Sequence, residues 1–317
     1  MYKLTNDICL IISQLSGHLE TIAGALVPAA YKYSPVAYNI PTHDGDEIEI
    51  LYFNHKKKKL AILTHGLEGN NQSTYIVKTA NYLLHHDICD VIAWNFRSCG
   101  HQDTLKPMLY HSGYTQDLHT LISHILQQHS YEHILLAGYS VGGNVVLKYM
   151  GEMGHNLPYS IKSGVAFCCP CDLESVAGHM DKGFNRIYTR IFLKKLIHKV
   201  RQRAVLYPHI FDTEKINQVT SFFTFDEYFT ATNHGFAGAH DYWIRASSLP
   251  YFNNIVVPFV IVNPLNDVFL TPKCYPKEIN NTNFTYLYPP RGGHCAFITL
   301  PNIDYYPATI IADFINK

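Results

Sequence analysis

The chain has 317 residues, 47% hydrophobic and 16% charged, a globular composition with ample material for a core. Lys plus Arg and Asp plus Glu each number 25, so the balance is zero with histidine neutral, which argues against nucleic acid as a main partner. The apolar stretch Ile8 to Ile12 is too short to span a bilayer and lacks a basic flank and cleavage site, so the eight cysteines are read as reduced thiols in a cytoplasmic protein.

In chain order, the sequence predicts a helical N-terminal segment over about residues 1–30, then strands at Glu47 to Phe53 and Leu60 to Thr64. The run Lys56 to Lys59 between those strands reads as a solvated hairpin turn. Ile76, Ala80, Leu83 and Leu84 mark one face of a helix, Val91 to Asn95 the next strand, and Leu118, Leu121, Ile122, Ile125 and Leu126 another helix. His133 to Ala137 is a strand, and Val145, Tyr149 and Met153 lie on one face of the helix after it. Gly164 to Cys168 is a further strand, and the rhythm resumes with strands at Ile255 to Val262 and Asn283 to Tyr288 and a helix at Tyr305 to Phe314. Alternating strands and helices imply an α/β fold, a mostly parallel sheet with helices on both faces. One domain is expected, with a core over about 40–171 and 249–317 and a helical cap inserted over about 172–248. Phe184, Ile187, Tyr188, Ile191 and Phe192 pattern a helix in that insertion, and Phe222 to Trp243 reads as an aromatic, loop-rich tail. Cys168-Cys169-Pro170-Cys171 is too tightly spaced for an ordinary zinc site and reads as a strand end.

Three residues follow strands directly, where a doubly wound sheet binds its ligands. Ser140 stands in Gly138-Tyr139-Ser140-Val141-Gly142, a strand-to-helix corner of the Gly-x-Ser-x-Gly type; Asp267 follows Ile255 to Val262; His294 follows Asn283 to Tyr288. Serine is a poor nucleophile at neutral pH and needs a base that titrates near neutrality, which histidine is. His294 is therefore the expected base and Asp267 the group that orients it. A tetrahedral intermediate needs amide donors: Val141, after the serine, is one candidate, and Leu67, in Thr64-His65-Gly66-Leu67-Glu68-Gly69, is the other.

These motifs together resemble the YheT-like branch of the α/β-hydrolase superfamily, a group of predicted esterases. Gly17-His18-Leu19-Glu20-Thr21-Ile22 resembles its N-terminal motif and His65-Gly66-Leu67-Glu68-Gly69 its oxyanion loop. Asn95-Phe96-Arg97-Ser98-Cys99-Gly100 and Tyr110-His111-Ser112-Gly113 resemble its strand-to-helix segments, and Phe225-Asp226-Glu227 and Gly235-Phe236 its cap motifs. The resemblance implies Ser140, Asp267 and His294 as catalytic triad and the Leu67 and Val141 amides as oxyanion hole. In that branch two acids and a proline usually stand where this chain has Asn266-Asp267-Val268.

The expected activity is hydrolysis of carboxylic esters through an acyl-enzyme on Ser140, with no metal or organic cofactor. Alternatives are a lipid-directed hydrolase or acyltransferase with the same triad, and a non-catalytic ligand-binding member of the fold. Lys182 to Arg203 holds eight basic residues and no acidic one. It reads as a solvated face of a cap helix, with peripheral contact to an anionic membrane or steering of an acidic substrate as the alternatives. The sequence leaves the natural ester and the oligomeric state open.

Overall fold

A computed structural model describes residues 16–100, 106–298 and 304–317. The stretch Ile8 to Ile12 and the first half of the expected N-terminal segment lie outside the described residues. A helix, α1, occupies residues 16–26. Eight strands form one sheet: β1 (Val36–Pro41), β2 (Glu47–Phe53), β3 (Lys59–Thr64), β4 (Asp90–Trp94), β5 (His133–Tyr139), β6 (Ile161–Phe167), β7 (Phe259–Val262) and β8 (Phe284–Leu287). Their order is β1-β2-β4-β3-β5-β6-β7-β8; β3 to β8 run parallel, while β2 is antiparallel to both β1 and β4.

The central strands are buried along almost their whole length, as expected for parallel strands covered on both faces. Helix α2 (Thr74–His85) shares one apolar cluster with the C-terminal helix, and α3 (Gln116–Gln128) and α4 (Val141–Met153) lie in the cluster on the opposite face. The predicted face of α2, namely Ile76, Ala80, Leu83 and Leu84, is buried.

Two expectations about the sheet change. The lysine run is not a hairpin, because β4 lies between β2 and β3; the chain passes across the end of β4, where the Asp90 carboxylate accepts from the His55 and Lys57 amides. The expected strand at Ile255 to Val262 is shorter, since pairing begins only after Pro258, which has no amide proton to give a ladder.

Between β6 and β7 the chain makes a helical excursion: α5 (Leu173–Met180), α6 (Asn185–Leu206), the short turns α7 (Thr213–Ile216) and α8 (Phe222–Phe225), a π-helical turn over Asp226–Thr230, α9 (Ala231–His234) and α10 (Ala239–Ala246). The stretch from Phe222 to Trp243 is thus helical rather than loop-rich. Its polar groups cap and brace these turns: Ser221 and Thr224 form a reciprocal capping box, and Trp243 Nε1 donates to Asp226 Oδ2 at 2.8 Å. Helix α11 (Tyr306–Asn316) closes the fold, entered through Pro307 in its first turn.

The long helix α6 turns a different face inward from the one its apolar residues mark. Its buried stripe is Asn185, Thr189, Leu193, Leu196 and Val200, whereas Phe184, Ile187 and Ile191 are about half exposed. The polar members of the stripe each donate to a backbone carbonyl. Asn185 Nδ2 donates to Val268 O at 2.7 Å and Thr189 Oγ1 to Met180 O at 2.7 Å.

Candidate active site

Ser140 occupies the corner between β5 and α4 with φ 53° and ψ −124°, a left-handed backbone that costs a non-glycine residue of order 1–3 kcal/mol. Two glycines make the corner sterically feasible. A Cβ on Gly138 would stand 2.2 Å from Gly142 O, and one on Gly142 would stand 2.3 Å from His65 O. The turn projects the hydroxyl into a cavity of about 650 Å³ lined by Ser140, His294, Cys295, Leu67, Val141 and residues of α1, α5 and α6.

The three side chains nominated from the sequence lie together. His294 Nε2 is 2.9 Å from Ser140 Oγ, and His294 Nδ1 is 2.9 and 3.1 Å from the two Asp267 oxygens. Asp267 Oδ1 also accepts from the Phe269 amide at 2.9 Å, and the Phe269 ring packs on the imidazole with centroids 4.3 Å apart. With an ionised carboxylate at Nδ1, that nitrogen carries the proton, leaving Nε2 to accept from the serine. Burial disfavours a charged imidazolium at His294, but the Asp267 carboxylate and the neighbouring Cys295 sulfur outweigh it and raise the pKa above the ordinary histidine value.

The loop after β3 is fixed by groups that leave one amide free. Tyr75 Oη accepts from the Gly66 amide, Tyr110 Oη from the Glu68 amide and Gly66 O from the Gly69 amide. Among the described residues neither the Leu67 nor the Val141 amide has a partner within the protein. Both border the cavity beside Ser140, and a Cβ on Gly66 would come within 3.0 Å of Ser140 Cβ. His65, fully buried, shapes this loop. Burial pushes its pKa down to about 3, so it is neutral; Nε2 accepts from the Phe96 amide and Nδ1 therefore donates to Gly66 O at 2.8 Å.

The motif at residues 17–22 has a role that its sequence alone does not express. Thr21 Oγ1 accepts from the His294 amide at 2.9 Å, and the buried Glu20 carboxylate accepts from Arg291 Nε, the Gly292 amide and Asn266 Nδ2. Asn266 Oδ1 in turn accepts from the Gly293 amide at 3.0 Å. Helix α1 thus pins both loops that carry Asp267 and His294. Asn144, in the turn after Ser140, does the same for the helical excursion: Nδ2 donates to Ser112 O and Ala246 O while Oδ1 accepts from the Ser248 amide.

The basic segment divides into two sets. Lys199 points inward, its Nζ 2.7 Å from Glu68 Oε1 and 3.2 Å from Cys99 Sγ, so it ties α6 to the loop after β3; Arg203 is also buried. Lys182, Arg186, Arg190, Lys194, Lys195 and Arg201 remain exposed.

A mostly parallel eight-stranded sheet with a serine on a strained strand-to-helix corner defines an α/β hydrolase. The family described as "Serine aminopeptidase, S33" matches residues 55–220, and the chain belongs to that family, within the YheT-like branch of the superfamily. It is 28% identical to the Escherichia coli (strain K12) protein "Putative esterase YheT" over 288 residues, covering 89% of this chain and 84% of that one. It is 24% identical to human "Phospholipase ABHD3", covering 83% of this chain and 68% of that protein. Among solved structures the fold resembles the Pyrococcus furiosus esterase Pf2001, with TM-score 0.61, 16% identity, and 90% of this chain and 91% of that one covered. No helix among the described residues is long and apolar enough to cross a membrane.

Proposed function

We propose that the protein hydrolyses carboxylic esters of apolar acyl groups through an acyl-enzyme on Ser140. The observation that carries this reading is the hydrogen-bonded chain from Ser140 through His294 to Asp267 at the floor of an apolar cavity. In the first step Ser140 Oγ attacks the ester carbonyl while His294 Nε2 takes its proton, and the Leu67 and Val141 amides receive the charge on the carbonyl oxygen. His294 then gives the proton to the departing alcohol. Water, activated by the same imidazole, releases the acid and restores the serine. Asp267 keeps Nδ1 protonated and stabilises the imidazolium throughout. Labelling by a fluorophosphonate, lost in Ser140→Ala, tests the assignment; an unlabelled wild type would overturn it.

The size and lining of the cavity support an acyl chain as the group bound. Leu173, Val176, Met180, Leu196, Phe222 and Trp243 are among its walls, supplied by the segment over 172–248 that we take as a cap. A volume near 650 Å³ lies within the range of drug-sized ligand pockets. Burying a methylene contributes ~0.8 kcal/mol, so kcat/KM for p-nitrophenyl esters is expected to rise about fourfold per methylene from butanoyl to octanoyl. A maximum at acetyl would refute an acyl-chain pocket.

The same triad serves transfer to an alcohol, and the relative named as a phospholipase makes a lipid ester a second reading. A specific surface favours lipid. His18 of α1 packs on Phe184, just before α6, and on Tyr188 of α6, with centroids 4.5 and 5.7 Å apart, so the two helices adjoin at the cavity mouth. Leu19, Ile22 and Leu26 of α1, and Ile187 and Ile191 of α6, stand exposed there, next to Arg186, Arg190, Lys194 and Lys195. Apolar side chains with cations beside them match an anionic bilayer surface.

Sedimentation with phosphatidylcholine vesicles containing 0 or ~30% phosphatidylglycerol is expected to show binding only with the anionic lipid. At roughly 1 kcal/mol per cation, replacing Arg186, Arg190 and Lys194 by Gln is expected to weaken it by about two orders of magnitude. Binding indifferent to anionic content would remove the membrane reading.

A further inference from the structure

Beside the hydrogen-bonded chain stand two thiols that ester hydrolysis does not use, and they share His294 with it. Cys168 follows β6 and Cys295 follows His294, and one sulfur from each, with a ring nitrogen of His294, lie within 4.8 Å of one another. The sulfurs are already oriented. Cys168 Sγ accepts from the Cys295 amide at 3.1 Å and lies 3.6 Å from Gly293 O. Cys168 is fully buried, whereas Cys295 and His294 line the cavity, so an ion arriving through the substrate's own entrance meets them directly.

We propose that Cys168, Cys295 and His294 form a zinc site whose occupation blocks the serine chemistry. Two thiolates and an imidazole are the donor set that selects Zn²⁺ over hard divalent cations. Ligands about 2.0–2.3 Å from a tetrahedral ion lie about 3.3–3.8 Å apart, so donors already within 4.8 Å need only contract by about an ångström. Asp267 supplies the outer partner that zinc-bound histidines ordinarily have, a carboxylate on the opposite ring nitrogen, which leaves Nε2 as the atom for the metal. Nε2 is also the acceptor for Ser140, so the two uses exclude each other. Binding releases the two thiol protons to solvent and forms two Zn–S bonds and one Zn–N bond, with water or Ser140 Oγ left for the fourth position.

The inhibitory half of this inference rests on the catalytic reading of His294; the binding half does not. Cobalt(II) and zinc added to the full-length chain separate them. Co²⁺ is expected to give one equivalent of a thiolate-to-cobalt charge-transfer band that Zn²⁺ abolishes, and Zn²⁺ to inhibit p-nitrophenyl ester hydrolysis reversibly, with chelator restoring it. Cys168→Ser keeps an acceptor for the Cys295 amide, so basal turnover is expected to persist while the zinc concentration for half-inhibition rises about 10- to 100-fold and the band weakens. No band in the wild type, or the same zinc sensitivity in Cys168→Ser, would overturn the site. A zinc-displaceable band in a protein with no ester turnover would uphold the site and sink the catalytic reading instead.

Discussion

Ser140→Ala is expected to lower kcat/KM for ester hydrolysis by about 10⁴- to 10⁶-fold, leaving only what binding and the amide donors supply. The variant is a clean one. Alanine keeps the Cβ, so the left-handed backbone at φ 53° is as strained after the change as before, and the chain loses a single hydrogen bond to His294 Nε2. A hydrogen bond contributes ~1 kcal/mol net, so the denaturant midpoint is expected to stay within about that much stability of wild type. Turnover surviving intact in a folded variant would end the acyl-enzyme assignment.

The parts of this machinery differ in how openly the sequence carries them. Strands β3 to β5 are legible because parallel strands covered on both faces read as largely apolar runs, and the Ser140 corner because its glycines are forced by backbone contacts at 2.2 and 2.3 Å. Strand β1 is not, since an antiparallel edge strand with mostly exposed residues and a terminal proline has no apolar pattern to betray it. Helix α6 is detectable, but its inward face is not. Its first two turns bury Asn185 and Thr189 on carbonyl partners that lie 83 and 9 residues away, and leave the apolar residues outside. The roles of Glu20 and Thr21 depend on loops more than 240 residues later in the chain, a relation that only the folded arrangement expresses. The same is true of Cys168 and Cys295, 127 residues apart: the tight cysteine cluster at 168–171 draws the eye, yet the sulfur that faces Cys168 across the site comes from another loop.

Asp267→Asn is expected to cost about 10⁴-fold in kcat. The cause is the direction in which the new amide is held. Asp267 Oδ1 accepts from the Phe269 amide, and an asparagine keeps that bond only by placing its oxygen there and its NH₂ against His294 Nδ1. Nδ1 must then accept, the proton moves to Nε2, and the imidazole can no longer take a proton from Ser140. Charge acts in the same place. The carboxylate raises the His294 pKa against the opposing effect of burial, so its removal lowers that pKa. Because only the neutral imidazole serves as base, activity rises with pH through this pKa, and the acid limb of kcat/KM is expected to move to lower pH while the plateau collapses. A purely structural role for Asp267 would lower the plateau without moving the limb. A loss below tenfold with an unmoved limb would mean that Asp267 neither orients nor charges His294, and the base would then need another explanation.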